Sequence, residues 1–377
     1  MSEVLTLNDV CSLIADCEHN TAPQAKPGRE FGYSIGTPSI RSGRMILSSA
    51  KRVDEQTFRS WSARAALQKN DIILTREAPA GEAALVDGTV PVCLGQRTVL
   101  LRPNPDVVVP RYLHYRLLGP GVQEIIHSRS EGSTVAHLNV KDIRGLALGD
   151  VPDLRRQEAI AALLGALDDK IAANDRIART AFDLSDMLYI KVIGDAVRTV
   201  SLGDLIELKY GKALPSGERT DGNFPVYGSG GVAGTHDKAL VEGPGIIVGR
   251  KGTVGAVYWS EQSFFPIDTT FYVALRRDDV PLEFAFHLLR HLGLDGMNSD
   301  SAVPGLNRGN ALALAVRLPD HAGLRRYHQE ARPLFALRMS LSVQSGSLSE
   351  LRDTLLPKLM SGEIRVRAAE QVVEGLL

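Results

Sequence analysis

Two periods of apolar residues run through the chain. Ile160, Leu164, Leu167, Ile171, Asn174, Ala178 and Ala181 alternate by four and three. Tyr327, Leu334, Leu341, Leu348 and Leu355 recur every seven, with Leu324, Ala331, Leu337, Leu351 and Leu359 at companion positions. Both stripes are heptad patterns, and two of them in one chain predict an intramolecular antiparallel coiled coil. Forty helical residues would span ~60 Å. Elsewhere the apolar runs are short and rich in Val, Ile and aromatics ("GIIVG", "AVYW", "TTFYVAL"), with Gly and Pro between them, which predicts strands. Helical stretches are predicted at Tyr112–His127 and Leu282–His291.

The strand-rich parts repeat. "DIILTREAPAG" (Asp71–Gly81) reappears as "GIIVGRKGTVG" (Gly245–Gly255), and "VLLRPN" (Val99–Asn104) as "VALRRD" (Val273–Asp278), both at an offset of 174. "PRYLHYRLL" (Pro110–Leu118) matches "PLEFAFHLL" (Pro281–Leu289), and "TVAHLNVKDI" (Thr134–Ile143) matches "AVPGLNRGNA" (Ala302–Ala311). Each copy then enters a long helical pattern through a proline and an aspartate, Asp153 or Asp320, placed to cap free backbone amides. The expected fold is α/β (α+β) in class. Two similar mixed globules are separated by two long helices forming an antiparallel coiled coil, with a pseudo-twofold internal repeat. The expected boundaries are 1–152 and 196–319 for the globules, 153–195 and 320–366 for the helices, and 367–377 for a tail. The second helix contains Gly323, Pro333, Ser342, Ser345, Gly346 and Ser347, so it is the poorer helix former, and Pro333 should kink it. Pro357 and Gly362 in "LLPKLMSGEIRV" should end it.

At 377 residues, 44% hydrophobic and 23% charged, the composition is that of a globular protein of two domains. "MSEVLTLNDV" lacks the basic start and apolar block of a signal peptide, and a cytoplasmic location is expected. Cys11, Cys17 and Cys93 show no paired spacing, so neither a disulfide framework nor a zinc site is expected. With 43 basic and 44 acidic residues there is no global cationic field, and any DNA contact must come from local clusters. Arg41, Arg44, Lys51, Arg52, Arg59 and Arg64 form one. Lys209, Tyr210, Lys212, Lys238, Arg250 and Lys251 gather around glycine-rich turns of the second copy. Arg76 and Arg250 occupy corresponding strand ends, where an arginine can reach a phosphate or a guanine edge, and each is expected to contact DNA.

Catalytic patterns are weak. The glycines of 228–234 give neither GxGxxG nor a P-loop, and Asn104–Pro105–Asp106 is not the NPP[YF] motif of amino-methyltransferases. Pro152–Asp153 with Asp168 and Lys170 imitates a PD…(D/E)xK nuclease set. At helical spacing, however, Asp168 and Lys170 diverge by ~200°. His19, His114, His127 and His137 share no metal-ligand spacing. No catalytic residue, cofactor site or metal site is expected in the chain.

With repeat, helices and loops in place, the chain resembles the specificity subunit of Type I restriction-modification enzymes over essentially its full length. The resemblance is carried by "IGTPSIRSGRM", "NDIILTREAPAGEAALV", "GSTVAHLNVKDIRGL", "RRQEAIAALLGALDDKIAANDRI", "GDLIELKYGKALP" and "LLPKLMSGEIRV". It implies two target-recognition domains, each reading half of a split sequence in double-stranded DNA, with the helices as a ruler. Two modification (methyltransferase) subunits carrying S-adenosylmethionine would dock on the spacer, with restriction (translocase/endonuclease) subunits joining them. Spacer residues Ile160, Leu164, Leu167, Ile171, Leu334, Leu341, Leu348 and Leu355 would form the coil and the docking region. A stand-alone bipartite DNA-binding scaffold, or a metal-dependent nuclease, are the alternatives.

Overall fold

The computed structural model describes residues 4–130, 137–297 and 305–374. They form two compact units: residues 1–171 with 346–377, and residues 172–345. In unit 1 the two larger sheets are built from β1 (Cys11–Asp16), β2 (Gly32–Ile35), β3 (Lys51–Val53), β4 (Ile72–Arg76), β5 (Ala80–Leu85), β6 (Val92–Leu94) and β7 (Thr98–Pro103). One sheet has the order β1-β7-β4-β5, and a second has the order β3-β2-β6 with β2 and β6 parallel. Unit 2 contains β8 (Ile206–Tyr210), β9 (Phe224–Gly228), β10 (Gly231–His236), β11 (Gly245–Gly249), β12 (Val257–Ser260), β13 (Phe265–Pro266) and β14 (Thr270–Leu275). Its sheets run β8-β14-β11-β12 and β10-β9-β13, with β9 and β13 parallel. The two units therefore repeat these two sheets in the same strand order, while unit 1 adds a short ladder of Ile40–Arg41 with Arg44–Met45 and unit 2 one of Arg198–Ser201 with Ala315–Leu318.

Alternation along these strands builds a core on each face of the four-stranded sheet in both units. Ile72, Leu74, Val99 and Leu101 face the helices, whereas Ile73, Ala84 and Leu100 face the three-stranded sheet. In unit 2, Ile246, Val248, Phe271 and Val273 point one way and Ile247 the other, onto Tyr227 and Phe264. The ladders correct one detail of the repeat. Ile73 pairs with Leu100 and Ile247 pairs with Tyr272, so β7 and β14 correspond at an offset of 172 rather than 174. A two-residue slip keeps the same face inward, so apolar patterning cannot distinguish the two registers. The repeat also begins earlier than its apolar strands suggest. Thr6 with Asp9, and Ser201 with Asp204, form matching capping boxes on the short helices Leu7–Val10 and Leu202–Leu205.

The long helices run Leu154–Gly194 and His321–Ser361, 41 residues each. Asp153 caps the first through the Arg156 N–H at 2.9 Å, and Asp320 caps the second through the Gly323 N–H at 2.7 Å. Within unit 1 the first half of one packs with the last half of the other, through Ile160, Leu164, Leu167 and Ile171 against Leu348, Leu355 and Leu359. Within unit 2, Tyr189 and Val192 share a core with Leu324, Tyr327, Ala331 and Phe335. The pairing is antiparallel. Pro357 lies inside the second helix, contrary to its expected role as a terminator. The stop is Gly362, whose φ of 78° suits glycine and whose N–H donates to Leu359 O at 3.3 Å. The segment expected as a tail forms the helix Val366–Glu374, which buries Ala369 and Val373 in the unit 1 core. Of the repeated segments Thr134–Ile143 and Ala302–Ala311, residues up to 136 and 304 lie outside the described residues. Asn139 and Asn307 that follow cap equivalent short helices.

Candidate nucleic-acid interface

The ends of β4 and β11 share one backbone frame. In unit 1 the Arg76 N–H donates to Arg97 O at 3.0 Å, and Arg76 O accepts the Leu138 N–H at 2.9 Å. In unit 2 the Arg250 N–H donates to Thr269 O at 2.9 Å, and Arg250 O accepts the Leu306 N–H at 2.9 Å. The Thr98 hydroxyl donates to Gly95 O at 2.7 Å, as the Thr270 hydroxyl does to Ile267 O at 2.8 Å. Asp16 faces Val99 and Tyr210 faces Phe271 in these ladders, so Asp16 and Tyr210 occupy one position of the fold.

On that common frame the side chains diverge. Arg76 is buried, its Nη1 on both Asp16 oxygens at 2.7 and 2.8 Å and its Nη2 3.5 Å from His137 Nε2. Arg76, the strand-end arginine expected to contact DNA, is neutralised by Asp16 inside the unit, and its Nε is buried without a partner among the described residues. Arg250 meets a ring in place of a carboxylate. Its guanidinium lies 5.3 Å from the Tyr210 centroid and donates to Asp268 O at 2.7 and 3.1 Å. Arg308, which the sequence reading did not single out, lies 5.7 Å from the same ring and pairs with Glu207 at 3.2 Å. Tyr210 is 52% exposed, and Lys209, Lys212, Lys238 and Lys251 are exposed. An aromatic face between two arginines, with lysines around it, is suited to sugar-phosphate and base contacts.

In unit 1, Arg41 is exposed and Lys51 only leans on Ala22 O at 3.4 Å. Arg52 stacks 4.5 Å from the Tyr33 ring. Arg44 is held elsewhere, 3.1 Å from Asp168 of the first long helix, which removes it from the freely exposed cations.

The sequence profile described as "Type I restriction modification DNA specificity domain" matches residues 2–179 and 195–320, most of the chain and both copies of the repeat. The chain belongs to this family. A Methanocaldococcus jannaschii protein, the Type I restriction enzyme MjaIX specificity subunit, is 23% identical across 85% of this chain and 83% of its own. A Mycoplasma genitalium protein named as a type I specificity subunit is 24% identical across 63% of this chain and 67% of its own. The crystal structure of a Type I restriction-modification S subunit from M. genitalium shares the fold, with a TM-score of 0.57 at 20% identity over 95% of this chain and 97% of that one. As a DNA specificity subunit of a Type I restriction-modification complex, the protein selects sequence and carries no catalytic step itself.

In this specificity subunit the heptad residues are consumed by the helix pair. Ile160, Leu164, Leu167, Ile171, Leu348 and Leu355 are buried, and Leu334 and Leu341 are half-buried, so the coil-forming role leaves little of them for docking a partner. The nuclease imitation dissolves on the same helix. Asp168 accepts from Tyr115 at 2.5 Å, Arg352 at 2.8 Å and Arg44 at 3.1 Å. Burial alone would raise its pKa, but those hydrogen bonds hold its carboxyl below the ordinary value. Lys170 is exposed and turned away, and no His/Cys/Asp/Glu group that could hold a metal occurs among the described residues. Nor is any helix among them long and apolar enough to cross a membrane.

Unit 2 holds a further decoy that sequence order did not reveal. His287 lies 2.9 Å from Ser185 Oγ and 2.8 Å from Asp186, which also binds His291 at 2.8 Å. Ser185 and His287 are wholly buried, and the serine sits in helical geometry against Phe182 O at 2.7 Å. A buried hydroxyl with no path for a substrate is a packing bond between helices, whatever its likeness to a hydrolase triad.

Proposed function

We propose that each unit reads one half of a bipartite target in double-stranded DNA. The paired helices fix the spacing of the halves, two modification subunits dock on the chain, and restriction subunits join them. The observation that carries this reading is the duplication of both sheets, in the same strand order, on two antiparallel 41-residue helices. In unit 2 the DNA-contacting set is Lys209, Tyr210, Lys212, Lys238, Arg250 and Lys251, joined by Arg308. In unit 1 it is Arg41, Lys51 and Arg52, while Arg44 and Arg76 brace the frame. For docking, the outward side of the first long helix offers Ile177, Leu184 and Met187, which are 46%, 46% and 65% exposed and lie within ~80° of one another.

The chain should be co-expressed with its modification subunit and the host methylome sequenced with and without the chain. Adenine methylation at a split motif that depends on this chain is expected, with S-adenosylmethionine held by the partner. The isolated chain should neither methylate nor cut DNA. Methylation at an undivided motif would overturn the bipartite reading.

A further inference from the structure

Beside the Arg76 frame, the turn from β6 to β7 places an arginine where unit 2 has Thr269. We propose that Arg97 is a base-reading residue of unit 1, recognising a guanine of its half-site, and that Glu77 is the residue that positions it. This rests on the bipartite reading above. Arg97 has φ of 67°, a left-handed conformation that costs an L-residue energy and that glycine would adopt freely; Thr269 does not share it.

The Arg97 side chain is half-exposed at 49%, with Nε 3.2 Å from one Glu77 oxygen. The other Glu77 oxygen is held by His137 Nδ1 at 2.5 Å, and the Thr37 hydroxyl donates to Glu77 O at 3.1 Å. Among the described residues the two terminal nitrogens of Arg97 have no protein partner. The carboxylate thus tethers the fork through Nε and leaves two donors free, the arrangement that meets O6 and N7 of guanine in the major groove. Tethering the fork before binding reduces the entropy lost when the two bonds form.

The surface at this point is concave. A cleft of about 310 Å³ is lined by Gly36, Thr37, Ser39, Lys51, Gln96 and Arg97. Its small residues leave room for a base edge, and Lys51 supplies a cation for the adjoining backbone. In unit 2 the corresponding positions carry Lys251 for Glu77, Asp268 for Gln96 and Thr269 for Arg97, so the same backbone frame presents different groups. Two copies that read different half-sites need this kind of divergence.

The test is methylome sequencing of cells carrying the full complex with wild-type chain, Arg97→Ala, Arg97→Lys or Glu77→Gln, with thermal unfolding of each chain as a folding control. The wild-type motif should contain one invariant G·C pair that Arg97→Ala relaxes by ~10- to 100-fold, every other position, including the whole second half-site, being unchanged. Arg97→Lys should relax the same pair, because an ammonium cannot bond both acceptors, and Glu77→Gln should relax it less. Three outcomes overturn the proposal: a motif unchanged in Arg97→Ala, full discrimination in Arg97→Lys, or a uniform loss at all positions, the last two marking a phosphate contact. If Arg97→Ala fails to fold, Arg97→Lys decides. A wild-type complex that methylates no split motif would instead refute the bipartite reading itself.

Discussion

At the scale of single residues, one fold position decides what an arginine does. Asp16 and Tyr210 are equivalent, and Arg76 and Arg250 reach them from equivalent strand ends, yet one contact is an ion pair and the other a cation on a ring. Arg76→Ala should therefore strip a partly buried carboxylate of its arginine, leaving it the Cys17 N–H and His19, and destabilise unit 1 by about 1–3 kcal/mol. Arg250→Ala loses a ring contact worth ~0.5–1 kcal/mol together with its exposed hydrogen bonds to Asp268 O, and should weaken DNA binding more than folding. Urea unfolding beside DNA titration of both variants separates these outcomes; a selective DNA defect in a fully stable Arg76→Ala chain would contradict the assignment. His287 makes a pH prediction. Burial lowers its pKa from 6.5 to about 4 despite Asp186, so the folded chain holds it neutral, donating Nδ1–H to Asp186. The unfolded chain binds the extra proton first. This contribution is complete above pH 6.5 and is lost as pH falls from 6.5 through 4, by up to ~3 kcal/mol. Urea unfolding between pH 7.5 and 4.5 should show that slope in the wild type and a flatter one in His287→Gln.

At the scale of elements, the second long helix is the instructive case. Its composition argues for interruption, yet it continues through Pro333, Gly346 and Pro357. Buried Tyr327, Ala331 and Phe335 in unit 2, and Leu348, Leu355 and Leu359 in unit 1, hold it on both sides of the weak stretch. Propensity costs of about 1 kcal/mol for Gly and 3 for Pro are outweighed by burial of that many side chains. Asn174 occupies a seam position at 1% exposure, with Nδ2 2.8 Å from Gln344 and 3.3 Å from Ser345, and its Oδ1 is unpaired. A polar group there costs stability and specifies register. Asn174→Leu should raise the melting temperature, by the equivalent of roughly 1 kcal/mol, while loosening the choice of register. A fall in melting temperature would show that the hydrogen bonds outweigh the seam.

At the scale of the whole molecule, the proposed ruler makes a prediction about length. One heptad added to both, in matched positions, lengthens the spacer by ~10.5 Å. At ~3.4 Å per base pair, the methylated half-sites should move apart by about three base pairs with their identities unchanged. The added length also rotates one reading unit about the DNA axis, so some adjustment of register is expected. A heptad in one helix alone should break the pairing and abolish methylation. Methylome sequencing reads both results, and an unchanged spacer in the matched variant would show that the helices do not set the distance.

Much of this protein is legible from local pattern. Heptad spacing, strand alternation, the proline-aspartate helix entries and the internal repeat each depend on geometry within a few residues, and so the two-globule, two-helix plan could be read directly. The positions of the basic residues were legible in the same way. Their roles were not, because a guanidinium takes its function from whatever a neighbouring strand brings to it. Asp16 lies sixty residues before Arg76, and its arrival depends on a ladder whose register apolar alternation leaves open by two. Arg97 illustrates the same limit. Nothing near it in sequence marks it, since its backbone is set by the Arg76 frame and its fork by Glu77 and His137. Local chemistry determined which elements form; pairing across the sheets decided which charges are consumed inside the fold and which remain exposed at its surface.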